Sequence, residues 1–139
     1  MRLTTAEVFD IVWDWVRSSP LYTVVPVMYP YKFPEVTPTN PLKGEFLVIN
    51  TLTNVVGDTQ VATVNVNIYV PDETPTVNKV KQRFPNHKRL KELTKVAYGS
   101  LQGVPASGRM FFDLSSETLI SEEEIPYSLA NIKVTLKKY

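Results

Sequence analysis

The clearest hydrophobic pattern in the chain runs from Val61 to Val70, VATVNVNIYV, where Ala62, Val64, Val66, Ile68 and Val70 occupy every second position. A pleated strand sends successive side chains to opposite faces, so this spacing predicts a central strand with one wholly apolar face. The opposite face, Val61, Thr63, Asn65, Asn67 and Tyr69, is mixed and partly polar. Upstream, Glu45 to Leu52 (EFLVINTL) is almost continuously apolar, as expected of a strand covered on both sides. The Gly57-Asp58 turn signal between these two runs predicts an antiparallel hairpin with a fairly long loop. The closing SLANIKVTLKKY alternates Ile132, Val134 and Leu136 with Lys133, Thr135 and Lys137, a strand with one buried and one wet face. Before it, RMFFDLSSETLI suggests a further strand, and Glu122, Glu123 and Glu124 suggest a solvated bend.

Two segments follow helical spacing. Residues 4–18 open with Thr4-x-x-Glu7, a capping box, and place Val8, Ile11, Val12 and Trp15 on one stripe. Phe9, Trp13 and Val16 widen that stripe, which predicts a core-facing side and a second side available to another surface. The second helix is expected from Asn86 to Leu101, with Leu90, Leu93, Ala97 and Leu101 buried and Gly103 at its C-terminal cap. A turn is expected at residues 104–108. Between the first helix and the EFLVINTL strand, the β-branched residues of Leu21 to Val27 predict a short strand, which Pro26 restricts to a sheet edge. The next segment, residues 29–43, carries Pro30, Pro34, Pro38 and Pro41 with Tyr29, Tyr31 and Phe33. It reads as a stiff extended loop lying over another surface, in preference to a Pro-rich peptide ligand. The expected fold is one α/β (α+β) domain over residues 1–139: a single, mostly antiparallel sheet packed against two helices, in the order α-β-β-β-α-β-β, with a long Pro-rich loop.

Composition narrows the functional classes. A chain of 139 residues buries roughly two thirds of its unfolded surface and requires no metal or disulfide for stability. It has no cysteine, which removes thiolate nucleophiles, disulfides and cysteine–zinc sites together. Fifteen Lys and Arg against 14 Asp and Glu leave a net charge of +1, so charge effects are local. Seven of those basic residues, Lys79, Lys81, Arg83, Lys88, Arg89, Lys91 and Lys95, lie in residues 76–95 opposite a single Glu92. Aromatic stacking residues are scarce among them, which favours a solvated helix face or an acidic protein neighbour over a phosphate-binding patch. Glu7, Asp10 and Asp14 interrupt the N-terminal apolar residues, so the expectation is a soluble protein made in the cytoplasm, with no membrane partner.

Catalytic chemistry lacks its usual parts. His87 is the single histidine and stands among basic residues at a helix start. There is no G-x-S-x-G elbow, dinucleotide fingerprint or phosphate loop. Asp10, Asp14, Asp113 and Glu117 could form a carboxylate site only if the fold converged them, and each sits equally well on a wet face. The expectation is a protein that is not an enzyme, with no catalytic residue, cofactor or metal.

The element order, together with EFLVINTL, VNVNIYVPD (Val64 to Asp72), the Pro85-Asn86-x-x-Arg89-Leu90 helix opening and SLANIKVTLKKY, resembles the tail terminator and tail completion proteins of tailed bacteriophages. The resemblance spans most of the chain and is one of pattern. It implies a virion structural protein, assembled in the bacterial host cytoplasm, that forms a homo-oligomeric ring, a hexamer or dodecamer, at the head-to-tail neck. Such a ring caps the tail or joins it to the head, touches tail-tube, stopper or portal-adaptor proteins, and lets DNA pass without reading its sequence. Two alternatives stay open: another neck adaptor ring beneath the portal, and a small cytoplasmic binding module that uses the basic 79–95 segment. For a ring, the candidate interface residues are Tyr29, Tyr31 and Phe33 on the loop, Lys79, Lys81, Arg83, Lys88 and Arg89 on the basic segment, and Glu117, Glu122, Glu123 and Glu124 on the acidic one. The basic and acidic segments are expected to meet across a subunit boundary, where complementary charge sets register and rate more than affinity.

Overall fold

The computed structural model describes residues 2–101, 105–106 and 110–139; the expected Gly103 cap and most of the 104–108 turn lie outside them. It holds helices α1 (Thr5–Arg17), α2 (Pro20–Val24) and α3 (His87–Ser100). The main sheet contains β1 (Met28–Pro30), β2 (Phe46–Val55), β3 (Gln60–Pro71), β6 (Pro105–Ala106), β7 (Met110–Ser121) and β8 (Tyr127–Lys138), in the order β1-β2-β3-β8-β7-β6. The short strands β4 (Thr76–Val77) and β5 (Val80–Lys81) form a separate two-stranded ribbon. The mixed α+β class, the antiparallel sheet and the expected element order are all present; β1 alone pairs in parallel.

The alternating run lies in the middle of the sheet, as its pattern requires. β3 is flanked by β2 and β8, and its residues Ala62, Val64, Val66 and Ile68 lie opposite Leu136, Val134, Ile132 and Ala130 of β8. All are buried beneath the helices, in one core with Val8, Val12 and Val16 of α1 and Leu90, Leu93 and Ala97 of α3. The β2 run Phe46–Ile49 is covered on both faces: Leu47 and Ile49 join that core, while Phe46 and Val48 join a second cluster on the other side. The α1 capping box forms as read, with the Thr4 hydroxyl accepting from Glu7 N–H at 3.1 Å and the Glu7 carboxylate from Thr4 N–H at 3.0 Å. That backbone donor, seconded by the Thr4 side chain, holds the Glu7 carboxyl below its usual range.

The edge strand expected at residues 21–27 is corrected. Ser19 and Pro20 start a helix there instead, because proline fits the first helical position and its missing N–H costs nothing at that point. The helix buries Leu21, so three helices cover the sheet rather than two. Pairing with β2 begins only at Val27, whose carbonyl accepts from Leu47 N–H at 2.8 Å, and continues through Met28–Pro30. β1 is the sheet edge, where Pro30 lacks no needed donor.

The Pro-rich loop folds over the sheet's second face. Phe33 packs on Phe46 and Tyr69, Tyr29 meets Phe46 edge-on at 5.4 Å, and Phe46 stacks on Tyr69 at 4.7 Å. Tyr127 completes the cluster and donates its hydroxyl to Gly44 O at 2.9 Å. Burial pushes the Tyr69 hydroxyl up to about 12, and the Glu122 and Glu124 carboxylates add to the rise. In an unfolded chain tyrosine releases its proton near about 10. Between these values the unfolded state binds fewer protons than the folded one, so stability is intact below pH 10 and declines as pH rises towards 12. Denaturant midpoints measured across this window are expected to fall, and Tyr69→Phe is expected to flatten that dependence.

Candidate assembly surfaces

Three exposed features surround the sheet: the outer edge of β7, the β4–β5 ribbon, and an aromatic stack at the β1 edge.

Beyond the two-residue pairing with β6 at Met110 and Phe111, no strand among the described residues pairs with the outer edge of β7. Among the described residues nothing pairs with this edge from Phe112 to Ser121, so it offers backbone donors and acceptors as a template for another strand. A bulge at Ser115, whose hydroxyl donates to Lys133 O at 3.0 Å, shifts the register between Leu114 and Ser116. Downstream of the bulge, the pairing Glu117↔Ile132 and Leu119↔Ala130 places Glu117 and Leu119 on the helix side. Thr118 and Ile120 share the other face with Asp113, which lies opposite Thr135. Between α3 and β7 runs a groove lined by Tyr98, Thr94, Lys91, Lys95, Glu117 and Leu119. Leu119 and Ile120 are exposed, and the chain from Asp113 to Glu124 carries five carboxylates and no cation.

The ribbon has the opposite character. Val77 pairs with Val80 and Thr76 with Lys81, so the two valines share one face and Thr76 and Lys81 the other. Its two-residue turn, Asn78 and Lys79, has φ of 51° and 65°, as a hairpin turn of matching twist requires. Asn tolerates this left-handed conformation, whereas a lysine there is strained where glycine would be relaxed. Lys79, Lys81 and Lys88 make no ion pair among the described residues. Arg83, at the ribbon's root, is internal hardware. It pairs with Asp72 at 2.6 Å and donates to Glu122 O at 2.6 Å and Ile125 O at 3.4 Å. Ser128 donates to the other Asp72 oxygen at 2.6 Å, and reciprocal bonds between Glu73 and Phe84 close the root.

Arg89 is likewise committed within the subunit. It grips Glu45 through two bonds of 2.6 and 2.8 Å and reaches Glu92 at 3.3 Å, which fixes the start of α3 to the start of β2. The Glu45 hydrogen bond raises its pKa further above the ordinary guanidinium range.

The three loop aromatics also divide. Phe33, only 8% exposed, and Tyr29 serve the protein's own second cluster. Tyr31 is 62% exposed and adopts a left-handed φ of 67°. Its ring stacks on Phe9 at 4.7 Å, and Phe9 stacks on Trp13 at 5.7 Å, so the second side of α1 is partly covered by its own loop. On the acidic bend, Glu122 accepts from the N–H groups of Glu123 and Glu124, and Glu124 forms an exposed pair with Lys32 at 3.7 Å.

Sequence reasoning missed the polar wiring. Gln60, fully buried, exchanges bonds of 2.9 and 2.7 Å with the Leu3 backbone and donates to Asn54, which ties the N-terminal segment to the β2–β3 hairpin. Across the second sheet face Asn65 donates to Asn50 at 2.7 Å and Asn131 to Asn67 at 2.6 Å and Asn65 at 3.2 Å. The alternating asparagines of VNVNIYV and the lone Asn131 were the available signal, since polar residues on a half-covered sheet face pair with one another. The four carboxylates considered for chemistry do not gather: Asp10 and Asp14 are exposed on α1, and Asp113 and Glu117 lie on opposite faces of β7. Among the described residues no cluster of His, Asp and Glu is arranged to hold a metal ion, and no helix is long and apolar enough to cross a membrane.

No family model matches the sequence, and no curated protein is similar to it.

Proposed function

We propose that this protein is a structural subunit of the head-to-tail neck of a tailed bacteriophage, forming a ring that caps the tail or joins it to the head around the DNA channel. The observation that carries this reading is the pairing of two unlike surfaces on one rigid domain, an unpaired acidic sheet edge and a projecting basic ribbon. A ring of identical subunits closes through a heterologous contact, which needs two different, complementary patches on every copy. The sequence resemblance to tail terminator and tail completion proteins supplies the biological setting. An adaptor ring beneath the portal is the same mechanical solution in a neighbouring layer.

The mechanism is geometric: a subunit whose sheet is covered by helices on one face and in part by the Pro-rich loop on the other acts as a stiff wedge, and the rotation between neighbours sets the number of copies. Light-scattering mass and electron microscopy of the purified protein are expected to reveal a closed ring. Replacing Glu122, Glu123 and Glu124 together by lysine is expected to raise the concentration for half-assembly by on the order of tenfold, with the circular dichroism of the subunit unchanged. The fold survives this change because Arg83 holds the Glu122 carbonyl, not its carboxylate. Assembly that proceeds unaltered would count against the acidic bend as an interface, and a monomer that binds DNA in a salt-dependent manner would favour a binding module instead.

A further inference from the structure

A two-stranded ribbon of four paired residues has no hydrophobic core of its own and is marginal in water. Among the described residues it is held at its root, by the Asp72–Arg83 pair, the Glu73–Phe84 bonds and Gln82 N–H donating to Pro75 O at 3.0 Å, and it carries exposed Val77 and Val80. Its turn uses a strained lysine where glycine would be relaxed. On the same molecule no described residue pairs with the edge of β7 from Phe112 to Ser121, and the strand from Asp113 and the bend that follows it carry carboxylates and no cation of their own.

We propose that the β4–β5 ribbon of one copy adds edge-on to β7 of a second copy and extends its sheet. The faces of the two elements match in one orientation. With Val77 and Val80 turned to the helix side, the valines meet Leu119 and Tyr98 in the groove beside α3. Thr76 and Lys81 then fall on the opposite side, with Asp113, and away from Lys91 and Lys95 on the groove wall. The reverse orientation would set the lysine against those cations and take the valines out of the groove, to the face of Ile120. Main-chain bonds supply the attachment, and charge selects the partner edge. This contact supplies the head-to-tail interface of the proposed ring, and it rests on that reading only for its closure.

The absence of cysteine makes the test direct. Single-cysteine chains Thr76→Cys or Lys81→Cys are mixed with Ser116→Cys or Thr118→Cys chains and oxidised gently, so that a mixed disulfide can form only between copies. Asp10→Cys, on the exposed side of α1, is the control. At least one of the four pairings is expected to give the mixed dimer in high yield and the control none. Val80→Lys, at an exposed position, sets a cation against Lys91 and Lys95 in the groove and is expected to leave the subunit folded, to abolish the cross-link and to raise the half-assembly concentration at least tenfold. Closed rings in which no pairing cross-links would overturn this contact and leave the ring reading standing. Cross-linked open chains would support the contact and overturn the ring. A protein that stays monomeric at every concentration and gives no cross-link overturns the contact.

Discussion

Replacing Phe46 by alanine is expected to destabilise the protein by about 3–5 kcal/mol, the cost of removing a fully buried aromatic side chain that its surroundings cannot collapse to fill. The ring is the hub of the second cluster. It stacks on Tyr69 at 4.7 Å, meets Tyr29 at 5.4 Å, Tyr127 at 5.2 Å and Phe33 at 6.3 Å, and is 1% exposed. The cluster around it is completed by the Pro-rich loop, by Ile125 on the β7–β8 bend and by the start of β8, so the vacancy removes the surface to which the loop is anchored. Chemical denaturation is expected to show the loss of stability, and limited proteolysis is expected to cut within residues 31–43 before the rest of the chain. A Phe46→Leu variant, which keeps most of the volume, is expected to lose less than half as much. If Phe46→Ala unfolded with an unchanged midpoint, the second cluster would be a surface ornament and not a core.

Removing the Arg83 guanidinium produces the other large effect. The Asp72 side chain is 1% exposed, and its oxygens are held by Arg83 at 2.6 Å and by Ser128 at 2.6 Å. Arg83→Ala strands a buried carboxylate and takes the guanidinium donor from the Glu122 carbonyl, while the Ile125 carbonyl keeps Tyr127 N–H at 2.7 Å. Breaking one side of a buried pair costs about 3–5 kcal/mol, and partial access of water to the vacated site places this case near about 3 kcal/mol. Lysine at position 83 is not expected to rescue, because a single ammonium cannot bridge a carboxylate and two carbonyls as the planar fork does. Pairing Arg83→Ala with Asp72→Asn is expected to recover part of the loss, since no unpaired charge then remains. A double-mutant cycle measured by denaturation reads the coupling. These residues flank the ribbon in the chain, so the same variant is expected to loosen it and to weaken self-association beyond the loss of stability.

The local sequence by itself determined the sheet's centre, the two-sided cover of Phe46–Ile49 and the stripe of α3 through its apolar positions, and the capping box of α1 through Thr4 and Glu7. Those features follow from local periodicity and backbone chemistry, which any chain segment carries with it. The same reading found the basic and acidic segments as one-dimensional charge runs, but it could not divide them. Arg83 and Arg89 became internal clamps because Asp72 and Glu45, 11 and 44 positions away in the chain, are brought beside them. Phe33 and Tyr29 went inward and Tyr31 outward through one left-handed residue in the loop, a choice that three similar aromatics do not announce. The helix at Pro20–Val24 won over the expected strand because Pro20 supplied a helix start and Leu21 found a place in the core. Which strand would be left with an open edge, and which hairpin would stand free of the sheet, is set by the order β1-β2-β3-β8-β7-β6. Strand order depends on contacts between distant segments, and no local pattern encodes them, so only the tertiary structure decided where this protein offers itself to a neighbour.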